Sequence, residues 1–208
     1  MDIVLYTIFL TTTVMLILVP GPAAITIAGQ GASNSSKKAF MGVLGVASAD
    51  VIFFALSSTG IASLILTSSL LFSVIKWFGV AYLLYLGFTA LFGKAGAIKV
   101  SVKSKEMSRK KLFSQGILVQ LANPKALMYF SALLPQFIDP SAPIFLQMVI
   151  MGTTCLIADI VVYSLFSRLG EKLAKQQLKA WMVTAINKVA GITLVSVGIS
   201  MASLEYGK

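Results

Sequence analysis

Asp50 and Asp159 are carboxylic acids set inside long apolar runs, and Lys125 is an amine in a third. Pro20-Gly21-Pro22 and Asn123-Pro124-Lys125 interrupt two such runs at corresponding places. A carboxyl group at mid-membrane costs at least about 2.5–3.5 kcal/mol on insertion scales, so it persists where it faces a cavity or a partner. Asp50 has apolar chain on both sides and suits a group that takes up and releases a proton. Asp159 stands in a similar but less central setting. The alternative for Asp50 is a buried ion pair with Lys76. Lys76 and Lys188 themselves lie near span ends, where a lysine stem reaches the interface.

Lys125 lies too deep for that. Pro124 has no N–H and clashes with the carbonyl of Gln120, so the helix should open there, with Asn123 capping the half that follows. A half-helix starting at mid-depth, with a positive dipole end and the Lys125 ammonium beside it, reads as a carboxylate site. Pro20 and Pro22 should release carbonyls around Leu16 and Leu18, and Gly21 should let backbone approach closely. Freed carbonyls attract cations. A zwitterion with its carboxylate at Asn123–Lys125 and its ammonium near Leu16–Leu18 and Asp50 would fit between the breaks. Unbonded backbone survives in hydrocarbon only where it lines a cavity, and paired breaks in corresponding halves mark the substrate site of a secondary transporter.

The elements that must position these groups are membrane spans. The 208 residues are 57% apolar and 12% charged, with mean hydropathy +0.90, which is a membrane rather than a soluble composition. Apolar runs place six helices at roughly 3–28, 39–66, 70–92, 112–135, 143–167 and 181–203. The net charge of +10 does not mark a nucleic-acid binder, because the basic residues sit between spans and orient them. Lys37 and Lys38, seven Lys or Arg within 93–111, and Arg168, Lys172, Lys175 and Lys179 fall on one side, against Lys208 on the other. The positive-inside rule then puts the 93–111 linker in the cytoplasm and both termini outside. No Lys or Arg precedes Lys37, so the first apolar run reads as a retained helix rather than a cleaved signal peptide. The linker's basic residues are read as a topology determinant with, at most, weak affinity for anionic headgroups.

Three spans per half is an odd number, so any internal homology must be an inverted repeat. Three matches run in order: Pro-Gly-Pro with Asn-Pro-Lys, Ala49-Asp50-Val51 with Ala158-Asp159-Ile160, and Lys76-Trp77-Phe78-Gly79 with Lys188-Val189-Ala190-Gly191. Their register is imperfect, Asp159 lying deeper into its apolar run than Asp50. Residues 1–92 and 112–208 form the two repeats of one transport domain. Gly42, Gly45 and Ala49 on span two, with Gly79, Gly87, Gly191 and Gly198 elsewhere, read as close-packing faces that also admit a homodimer.

Val19-Pro20-Gly21-Pro22, the Gly42–Asp50 stretch, Lys76–Gly87, Asn123-Pro124-Lys125-Ala126-Leu127 and Leu134-Pro135-Gln136-Phe137-Ile138, in that order and spacing, resemble the LysE/RhtB family of amino-acid exporters over nearly the whole chain. The resemblance implies a bacterial inner-membrane protein of about six helices that exports amino acids or related small solutes, driven by the proton gradient. It also implies that Asp50, Pro20-Gly21-Pro22 and Asn123-Pro124 matter for transport. Two intramembrane aspartates balanced by three lysines lean toward neutral amino acids. Efflux of metal cations or another small solute is the alternative, weakened by one cysteine, Cys155, and no histidine. Without histidine, or a Gly-x-Gly-Asp setting for either aspartate, an intramembrane enzyme is disfavoured. The reading calls for no cofactor and no resident metal.

Overall fold

The structure, a computed structural model, describes residues 2–67, 106–139, 141–175 and 180–203, with separate positions between 77 and 92. Lys76 and most of 70–105, with the expected third span and most of the linker, lie outside the described residues. Every regular element among the described residues is helical.

The chain opens with α1 (Ile3–Leu18) and α2 (Pro22–Asn34), set at 57° to each other across Val19–Gly21. Pro22 is the first residue of α2, where a missing N–H costs nothing. Ser35 alone, at a positive φ of 69°, joins α2 to α3 (Ser36–Thr67). After the linker, Ser108 caps α4 (Arg109–Leu121) by accepting the Lys111 N–H. The rod then breaks, resumes as α5 (Pro124–Met128), widens to a π turn at Tyr129–Leu133 and tightens to a 3-10 turn at Leu134–Phe137. This second bend is 55°. The long α6 (Ile144–Ala174) and α7 (Ala180–Ser203) complete the described chain.

Among the described residues two helices, Ser36–Ser58 within α3 and α6, are long and apolar enough to cross a membrane alone, and each bent pair qualifies as one more. Their outward faces carry exposed Val51, Ile52, Leu56, Val149, Ile150, Ile157 and Val161, the pattern of helices facing lipid rather than water. Boundaries differ from the apolar runs. Lys37 and Lys38 belong to the first turn of α3, Arg109–Lys111 to the first turn of α4, and Arg168 and Lys172 to the end of α6, so these cations ride on helix ends rather than loops. A helix projecting beyond hydrocarbon keeps its own backbone bonds and changes only its side chains, which a hydropathy boundary misses.

Backbone contact at glycine sets which helices touch. A Cβ on Gly31 would lie 2.0 Å from the Ser167 carbonyl and one on Gly170 1.9 Å from that of Ala28, which brings α2 onto α6. Gly45 faces the Phe113 carbonyl at 2.2 Å and Gly116 that of Gly42 at 2.2 Å, which brings α3 onto α4. Small residues are how helices approach where lipid supplies no hydrophobic drive. The Gly42, Gly45 and Ala49 face thus packs inside the chain. Two apolar clusters fill the rest, one around Phe9, Phe130, Leu133 and Phe137, the other around Ile27, Val46, Tyr163 and Phe166.

Candidate functional site

The two broken helices meet. Pro20 offers no N–H to the Leu16 carbonyl, and the chain leaves helical geometry at Val19 before α2 begins. The released carbonyls of Leu16 and Val19 both accept hydrogen bonds from the Lys125 ammonium, at 2.8 and 2.7 Å. The cation drawn to the first break is therefore the chain's own lysine, not a ligand's ammonium as the spacing had suggested. Val19, rather than Leu18, supplies the second oxygen.

Asn123 caps α5 as its position predicts, Oδ1 accepting the Lys125 N–H at 3.1 Å, while its carbonyl takes the Leu127 N–H at 3.1 Å. Few backbone N–H groups remain for an anion at this short helix, so the ammonium must carry any affinity for a carboxylate. Gly21 lies against Lys125. A Cβ there would sit 3.5 Å from Nζ, which is ordinary contact, and its φ of −130° suits any residue. Close approach does not demand glycine at 21.

A hydrogen-bonded chain leads from this junction to the acids. Asn123 Nδ2 donates to Gln120 Oε1 at 2.9 Å, and Gln120 Nε2 donates to both carboxylate oxygens of Asp50, each at 2.7 Å. Asp50 and Asp159 in turn meet within hydrogen-bonding reach of each other. All four side chains are at most 5% exposed. Two carboxylates this close repel one another strongly. A single proton held between them would leave one negative charge to face the one ammonium. Helix register explains the meeting. Asp50 is the fifteenth residue of α3 and Asp159 the sixteenth of α6, so the mismatch read from apolar boundaries shrinks to one residue once α3 is seen to start at Ser36.

Thr13, Gln120, Tyr129, Cys155 and Tyr163 complete the wall around Asp50, Lys125 and Asp159. Tyr129 and Thr13 share a hydrogen bond at 2.7 Å, and Tyr129 lies 3.4 Å from Cys155 Sγ. Spacing could have found three of them. Gln120 precedes Asn123 by three residues, and Tyr129 and Tyr163 follow Lys125 and Asp159 by four, one turn along the same helix face. Lys188 is exposed and does not line this wall.

The central cavity has a volume of about 30 Å³, room for roughly two waters. A second cavity of about 320 Å³ opens between α3 and α6 and reaches the same Asp50, Cys155 and Asp159. Its other walls are mostly apolar, among them Ala47, Phe54, Met148 and Gly152. The acids thus stand between a tight central space and a roomier chamber.

A profile of the family described as LysE type translocator matches residues 14–204. The chain is 32% identical to the homoserine/homoserine lactone efflux protein of Salmonella typhimurium, over 95% of this chain and 96% of that protein. It is 31% identical, with the same coverage, to the protein of that name from Salmonella typhi. An uncharacterized membrane protein of Vibrio cholerae is 29% identical over 99% of this chain and 100% of its own. No solved structure matches the chain.

Proposed function

The chain belongs to the LysE type translocator family, a membrane exporter of small solutes rather than an enzyme, and on that footing we propose that it exports small amino acids or their amine derivatives from the bacterial cytoplasm in exchange for protons. The observation that carries this reading is the Asp50–Asp159 contact, tied through Gln120 and Asn123 to the junction where Lys125 bridges the two breaks.

The exchange follows from charge. A substrate ammonium entering between the carboxyls takes the place of the shared proton at equal charge, so loading expels a proton and unloading on the acidic side readmits one. The hydrogen bonds to ionised groups involved are worth about 1.5–3 kcal/mol each, enough to make the two occupants compete. A substrate carboxylate needs a cation, and Lys125 supplies it only by leaving the Leu16 and Val19 carbonyls. Freeing those oxygens lets the first break move, which couples binding to rearrangement. The central space of about 30 Å³ cannot admit an amino acid as it stands. The chamber of about 320 Å³ can, and it places a substrate's side chain against apolar wall with its ammonium at the acids. A metal cation fits poorly here, because Lys125 puts a positive charge beside the two acids of this site.

In this reading the two bent pairs, 57° and 55°, and the matched aspartates belong to two inverted three-helix repeats. Six spans, a cytoplasmic 93–111 linker, outward termini and an inner-membrane location complete it, with Gly42 and Gly45 serving internal packing. Lys125 being satisfied by carbonyls also favours a second substrate form, an amine that brings no carboxylate. The names of the Salmonella relatives, which pair homoserine with its lactone, agree with that.

The test is reconstitution. Proteoliposomes loaded with homoserine, threonine, leucine, lysine or homoserine lactone are placed in acidic medium, and efflux is followed with and without a protonophore. Gradient-dependent efflux of at least one neutral amino acid or lactone is expected. Efflux indifferent to the gradient for every compound would refute proton exchange, and no efflux of any would refute the cargo class.

A further inference from the structure

A third cavity, of about 310 Å³, lies on the same α3–α6 seam but at its Lys/Arg-rich end, away from both cavities that reach Asp50. Lys37 and Ser36 on α3 and Ser164, Ser167 and Arg168 on α6 form its polar rim, and Phe40 and Val43 continue it toward the membrane middle.

The local charges are unevenly matched. Lys38 pairs with Glu106 at 3.4 Å. Glu171 is committed, one oxygen to Lys175 at 2.8 Å and the other to the Ser36 N–H at 2.8 Å. Lys37 and Arg168 have no acidic partner among the described residues, and they face one opening from two helices. Ser167 makes only a long bond, 3.4 Å, to the Ser36 carbonyl. Two uncompensated cations and three hydroxyls around one hollow suit an anion with several oxygens.

The walls choose among anions. Along α3 the lining passes from Ser36 and Lys37 to Phe40 and then to fully buried Val43 within two turns. A phospholipid at a leaflet boundary has that order: phosphate, glycerol oxygens, then methylenes. A free anion has no use for the apolar part. On the orientation proposed above this end meets the cytoplasmic leaflet, where anionic lipids concentrate and basic pockets between helices hold their headgroups. We propose that this cavity binds the phosphate of an anionic phospholipid, Lys37 and Arg168 gripping the phosphate and Phe40 lying along the first acyl methylenes. The lipid then bridges the two helices that carry Asp50 and Asp159.

The full chain, purified and stripped of lipid in detergent, is titrated with dioleoyl-phosphatidylglycerol, with dioleoyl-phosphatidylcholine and with inorganic phosphate. Bound lipid is counted by native mass spectrometry. Phosphatidylglycerol should bind selectively, and the double variant Lys37→Gln/Arg168→Gln should lose roughly thirtyfold in affinity. Lys110→Gln/Lys111→Gln removes equal charge from the exposed start of α4 and should lose little. Ser164→Leu fills the hollow at unchanged charge and should lose the lipid as well, which keeps the test decisive should the double variant not fold. Equal loss in the Lys110/Lys111 variant would overturn the site in favour of diffuse attraction. Undiminished binding by Ser164→Leu would overturn the cavity. Displacement of the lipid by millimolar phosphate would make it a free-anion site.

Discussion

Asp50→Asn is the sharpest perturbation the cluster allows, because it removes one charge while keeping the shape. In the wild type both Asp50 oxygens accept from Gln120 at 2.7 Å. An amide keeps one such bond and turns a donor toward the other, at a cost of about 1–3 kcal/mol. Asp159 and Lys125 still balance each other, so no net charge is stranded in the membrane, and insertion and the fold should survive. What disappears is the contact that obliges two carboxyls to share a proton. Substrate ammonium loses one ionic partner, which at about 1.5–3 kcal/mol lowers affinity roughly ten- to a hundredfold. The variant should therefore bind weakly, and its residual efflux should no longer respond to a pH gradient. The assay compares initial efflux from proteoliposomes with and without acid outside, at equal protein inserted. Asp50→Asn efflux stimulated by the gradient to the wild-type degree would refute the shared-proton reasoning, even if its absolute rate were low.

Lys125→Met strips the Leu16 and Val19 carbonyls of their donor, at about 1–3 kcal/mol for each unsatisfied group, so thermal melting should fall by several degrees and efflux of carboxylate-bearing substrates should fail. Efflux of homoserine lactone should suffer less if the lysine acts on the carboxylate, and a uniform loss would confine Lys125 to structure. Gly45→Leu has no room beside the Phe113 carbonyl and should reduce the yield of folded protein in detergent gel filtration. Gly21→Ala meets only ordinary contact at 3.5 Å and should fold normally; the opposite ranking would show that the helix crossings are wrong. Gly152→Leu narrows the chamber of about 320 Å³, its first atom meeting the Phe54 ring at 3.1 Å. It should impair efflux of leucine before that of threonine, and equal impairment would remove the chamber from selectivity.

Much of this site is legible in the chain because the membrane makes polar groups expensive. Asp50, Asp159 and Lys125 stand out against hydrocarbon, and prolines that would merely bend a soluble helix must here open toward something that repairs the backbone. The cap at Asn123 follows from residue type and position alone. What sequence could not supply is pairing across the chain. That Lys125 reaches the Leu16 and Val19 carbonyls, and not a ligand, depends on how α1 lies against α5. Gln120 escaped notice because an amide in an apolar run is a weaker signal than a charge, although it is the residue that touches Asp50. Helix ends escaped as well, since α3 and α6 run past the hydrocarbon boundary at Lys37 and Arg168 while hydropathy stops there.

Each break answers the other's unmet need. The first presents carbonyls without donors, and the second begins with an ammonium that needs acceptors, so their contact satisfies both in a medium that offers no water. The same reasoning limits how tightly they are held. Two charge-assisted hydrogen bonds of about 1.5–3 kcal/mol each are strong enough to close the junction at rest. They are also weak enough for a substrate carboxylate, at the same ammonium, to replace them. Under the proposed exchange, a neighbouring pair of acids that holds one proton or one amine would add the condition that opening happens with cargo or with a proton, and not without either. A junction sealed by apolar packing could not be released by a small polar guest, and one left unsealed would leak protons through the membrane. On the proposed exchange, the placement of Lys125 between the opened backbone and the acids would meet both demands.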